Sequence, residues 1–139
     1  MTIFLPLGAA LLLLTQLPQN MPVDNTPLRN SFVSAAETVV DDSAAVDVSA
    51  EDSTYDLRFS KFQGDRAYMD KLAQDDREHD IVASTKNLEF MVTSCHLQAK
   101  NGAPPEKCLT QLANARTRIM VELNHHKSGG IWVDGPPQQ

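Results

Sequence analysis

Apolar positions in the second half of the chain recur at helical spacing. Ile81, Thr85, Leu88, Val92, Cys95 and Ala99 follow one another at alternating intervals of four and three, which draws one continuous stripe along a helix. Cys108, Leu112, Ala115, Ile119 and Leu123 or Val121 draw a second. Between them stands "NGAPP". Asn101 and Gly102 suit a helix C-terminus, where a left-handed residue closes the last turn. Pro105 suits the first position of the next helix, and Glu106 complements its positive end. His125, His126 and Lys127 bring cationic side chains to the other end, ahead of Gly129-Gly130. The pattern predicts an antiparallel αα-hairpin over about residues 65–127.

Upstream the pattern weakens. Tyr68, Met69 and Leu72 form a short stripe, and Leu57, Phe59 and Phe62 read as an extended entry or a packing lid. An unbroken helix over 65–100 would be roughly 54 Å long at 1.5 Å per residue, so a break is expected in "DDREHD". Phe32, Ala36, Val39 and Val40 predict a short helix over 31–40, with Asn30 or Ser31 as its N-cap. The following "DDSAAVDVSAEDSTYD" is rich in Asp, Ser and Ala, and reads as a flexible acidic segment. The expected class is therefore all-α: a hairpin domain over 57–139, preceded at 21–56 by a linker with one short helix.

Residues 3–17 are uncharged, with a solid apolar run at 7–14. That length matches the core of a secretory signal and falls short of the ~20 residues a membrane-spanning helix needs. No Lys or Arg precedes the run and no A-x-A-like site follows it, so both a cleaved signal and an uncleaved anchor fit residues 1–20. A periplasmic or secreted protein is expected.

Export bears on the two cysteines. In an antiparallel hairpin, each step back along the first helix is matched by a step forward along the second. Setting Cys95 opposite Cys108 then sets Leu88 opposite Ala115, and Ile81 opposite Glu122 or Leu123, so the stripes meet. A Cys95–Cys108 disulfide is expected in an oxidising compartment; two buried free thiols are the alternative. Twelve intervening residues are too many for a C-x-x-C redox pair. Cys95 and His96 are adjacent, hence about 100° apart on the helix, and form no catalytic dyad.

Charge excludes more than it suggests. Residues 24–56 carry eight acidic side chains against Arg29 alone, and no basic stripe with interleaved aromatics occurs. Nucleic acid is therefore not an expected partner. No H-E-x-x-H, G-x-S-x-G or glycine-rich phosphate loop is present, so neither an enzyme nor a cofactor is expected. Asp75, His79 and His125 share one level of the predicted hairpin and could coordinate a metal; His125 fits equally as a helix-terminal charge. In the tail, Ile131, Trp132 and Val133 form a short apolar strip beyond the Gly-Gly pair. It either folds back on the core or docks on a partner, with Trp132 as the aromatic anchor. The expected function is that of an exported, non-enzymatic protein-binding domain: an inhibitor, an immunity-type protein or an accessory of an envelope complex. The alternative is an envelope protein that binds metal or a small ligand through the histidines at the hairpin's open end.

Overall fold

The computed structural model describes residues 26–128, and these form four α-helices with no strand among them. They are α1 (Thr26–Ala45), α2 (Asp52–Leu72), α3 (Asp76–Lys100) and α4 (Glu106–Lys127). The all-helical class agrees with the sequence pattern. Consecutive helices pack on one another, and α1 packs on α4 and α3 as well. All four helices contribute to one core.

The predicted stripes are the buried faces. Ile81, Thr85, Leu88, Val92 and Cys95 are buried on α3, as are Cys108, Leu112, Ala115, Ile119 and Leu123 on α4. Ala99 and Val121 are half-buried. Gly102, at φ +84°, adopts the left-handed conformation that closes α3. Its N–H donates to the Ala99 carbonyl and that of Ala103 to the Gln98 carbonyl, which satisfies two carbonyls left open by the last turn. Pro105 takes helical angles and accepts from the Leu109 N–H. Cys95 and Cys108 are joined by a disulfide, with their Cα atoms 5.8 Å apart.

The N-terminal region corrects the reading of a flexible acidic segment. The helix expected over 31–40 runs from Thr26 to Ala45, and buries Phe32, Val33, Ala36, Val39, Val40 and Ser43. In the connection, Val46 and Val48 are buried, while Asp47 accepts from the Ser49 and Ala50 N–H groups, a turn built from an Asp side chain. Residues 52–56 are already helical, and Tyr55, Phe62 and Met69 sink into the core at seven-residue intervals. Asp56 is exposed beside buried Tyr55, so charge on the outward face does not prevent burial of the other. Leu57, expected in an extended entry, is instead exposed on this helix.

The break falls at residues 73–75, at the head of the "DDREHD" stretch. Ala73 is extended, and Asp75 caps α3 by accepting from the Glu78 N–H at 2.8 Å. Glu78 reaches back and accepts from the Gln74 N–H at 2.7 Å. This reciprocal capping restarts the helix without Gly or Pro.

Candidate functional site

Two buried imidazoles mark the ends of α3. Near its start, Glu78 is 2% exposed and its Oε2 lies 2.8 Å from Nε2 of His126, itself 7% exposed, on the last turn of α4. The His126 ring meets Phe32 of α1 edge-on, with centroids 6.3 Å apart. Three helices thus converge on one imidazole. With Glu78 occupied by the Gln74 N–H on one oxygen and by His126 on the other, the pair is satisfied where it is buried, as such groups must be to avoid a desolvation cost.

Asp75 completes a group of three. One donor atom each from Asp75, Glu78 and His126 lies within 4.8 Å of the others. Carboxylate and imidazole donors suit a divalent transition-metal ion such as zinc. Of the residues considered from sequence, Asp75 belongs to this group. His79 is exposed and His125 half-buried, and neither belongs to it.

Near the other end, His96 is 6% exposed. Its ring stacks on Tyr55 with centroids 3.6 Å apart and planes within 3°. Nδ1 lies 2.8 Å from the Val48 carbonyl and Nε2 3.1 Å from Asp52 Oδ1. Lys100 donates to the other Asp52 oxygen at 3.1 Å. Lys100 foremost, and His96 after it, hold the Asp52 carboxyl below the usual range. This knot ties the α1–α2 connection and the start of α2 to the last turns of α3.

Both histidines escaped the sequence reading although each carried a signal. His126 continues the α4 stripe three residues beyond Leu123, and His96 follows Val92 by four. Polarity alone reads them as a helix-terminal charge and a neighbour of Cys95, whereas spacing places both on the buried faces. Asp75 and Glu78 form a D-x-x-E capping signature inside what looked like a solvated charge run.

The described surface also carries large apolar side chains. Phe90 and Leu57 are each 73% exposed, followed by Tyr68, Leu97, Leu28 and Leu109. Phe90 and Leu97, seven residues apart, share the face of α3 opposite the buried stripe. The strip Ile131, Trp132 and Val133 lies outside the described residues, as do residues 1–20. No described helix is long and apolar enough to cross a membrane. Comparison of the chain with protein-family models, curated proteins and solved structures finds no match.

Proposed function

We propose that the chain is an exported, non-enzymatic protein-binding domain that presents the outward face of α3 to its partner. The observation that carries this reading is Phe90, a large aromatic side chain 73% exposed on a well-packed helix, with Leu97 two turns on. Aromatic side chains are enriched among the residues that dominate protein–protein affinity. The disulfide is compatible with an oxidising compartment and supports export. We further infer that α3 and α4 are the antiparallel hairpin expected from the stripes. The disulfide links the last turns of α3 to the first of α4, and the Glu78–His126 bond links the first turn of α3 to the last of α4. The registry set by the cysteines puts residue 125 opposite Glu78, one residue from the observed partner.

A photo-crosslinker at position 90 of the full chain, expressed in its native cell, tests the binding reading. A discrete cross-linked protein is expected, whose affinity falls at least ~10-fold on Phe90→Asp with the melting midpoint unchanged. Absence of any specific adduct, or affinity indifferent to Phe90→Asp, overturns it. Trp132→Ala in the same assay measures what the tail adds.

A second reading, metal binding, is favoured by the convergence of Asp75, Glu78 and His126. Zinc titration of the metal-free chain, followed by calorimetry, distinguishes it. Stoichiometric binding abolished by Asp75→Ala supports a metal centre; no heat above buffer dilution leaves the cluster as a helix cap and clamp.

A further inference from the structure

His96 of α3 presents its two ring nitrogens to two acceptors. Nδ1 faces the Val48 carbonyl of the α1–α2 connection at 2.8 Å, and Nε2 faces Asp52 Oδ1 at the start of α2 at 3.1 Å. A carbonyl oxygen only accepts, so Nδ1 carries a proton whatever the charge of the ring. An ionised carboxylate also only accepts, so Nε2 bonds Asp52 only when it carries a second proton. The neutral ring therefore makes one bond and turns a lone pair toward the Asp52 oxygen. The imidazolium makes two bonds, one of them charge-assisted on both sides. Tyr55 adds to the same preference. Its ring lies within 3° of parallel to the imidazole, with centroids 3.6 Å apart, and the face of an aromatic ring attracts a cation. Burial works against the charged ring, and the two acceptors and the Tyr55 face work for it.

We propose that His96 is a proton-operated latch. Gaining the second ring proton fastens the α1–α2 connection and the start of α2 onto the last turns of α3, and losing it leaves Val48 alone held. The titratable and charged groups facing the ring are Asp52 and Tyr55 from α2 and, across Asp52, Lys100 from α3. The connection supplies the Val48 carbonyl. Imidazole is the side chain whose ordinary charge change falls within roughly pH 5 to 8. Across that window its partners keep their charge. Lys100, and then His96, hold the Asp52 carboxyl below its ordinary value of 3.8, and burial raises the Tyr55 hydroxyl above 10.0. A depressed Asp52 contributes stability present above the unfolded-chain value and lost as pH falls through the folded one, so its own change lies on the acid side of the window. Within the window the latch is fastened at the acid end and released at the basic end.

Nitrogen NMR of the full chain across that window reads the ring directly. Both nitrogens are expected to carry protons at the acid end, and Nδ1 alone at the basic end. Hydrogen exchange at the Ala50 amide, which donates within the connection to the Asp47 carbonyl, reads the latch. Its protection, corrected for the intrinsic exchange rate, is expected to fall about 2- to 5-fold from the acid end to the basic end, the scale of a partly exposed ion pair. The other histidines titrate in the same window, and Asp52→Asn separates them from His96. Its amide N–H satisfies the neutral Nε2, so the pH step should vanish or reverse. A neutral ring protonated on Nε2, wild-type protection that is flat across the window, or a step that survives Asp52→Asn overturns the proposal. If the variant does not fold, the wild-type nitrogen titration decides alone.

Discussion

Helices α3 and α4 are joined by a disulfide across a tight turn, whereas α1 and α2 meet through apolar side chains and a single ammonium bridge. In the first pair the sequence separation is 13 residues, and cross-linking so short a loop removes freedom mainly from the unfolded chain. In the second pair the stabilisation resides in the folded state, in Phe32, Val39, Phe62 and Met69, all fully buried. The difference implies that the two regions respond differently to damage. Reduction acts on α3–α4 through its unfolded ensemble. Loss of a core aromatic from α1 leaves a hole at a meeting point of three helices, since Phe32 also supports His126.

The largest effect is therefore expected from Phe32→Ala, a loss of about 3–5 kcal/mol in chemical denaturation. A loss below about 1 kcal/mol would show that α1 is peripheral and break the comparison. His126→Ala strands the buried Glu78 carboxylate and should cost about 3–4 kcal/mol. Restoring a neutral partner with Glu78→Gln in the same background should recover part of it, and a double-mutant cycle without coupling refutes the contact. Replacing both cysteines by serine should cost ~3 kcal/mol by the chain-entropy relation. Unchanged stability after reduction would mean that the turn alone holds the pair. Gly102→Ala should cost the least, ~1 kcal/mol, because an added Cβ meets no atom within 4 Å but disfavours the left-handed angle. A neutral result by thermal melting would place the closure of α3 elsewhere.

Legibility differed between the regions for a physical reason. The α3 and α4 stripes alternate strongly with polar residues, and Gly102 and Pro105 punctuate them. In α2 the buried positions are sparser. Tyr55, Phe62 and Met69 sit seven residues apart among Asp, Ser, Arg and Lys, so a local window averages them into a polar segment. Val46 and Val48 are small, yet burial depends on what lies above them, and His96 of α3 sits on the Val48 carbonyl.

Local pattern alone determined the all-helical class, the buried faces of α3 and α4, the turn between them and the pairing of Cys95 with Cys108. Each follows from spacing along one or two adjacent helices, a short-range property written in consecutive residues. Tertiary structure decided the rest. Whether His96 and His126 are solvated charges or buried clasps depends on Asp52 and Tyr55 for the first and Glu78 for the second, which lie 41 to 48 residues away in sequence. The same holds for Asp42, which meets its cationic partner Lys61 only because α2 packs beside α1. A titratable side chain carries its chemistry in the sequence, but its surroundings, and so its state, are set by neighbours that only folding supplies.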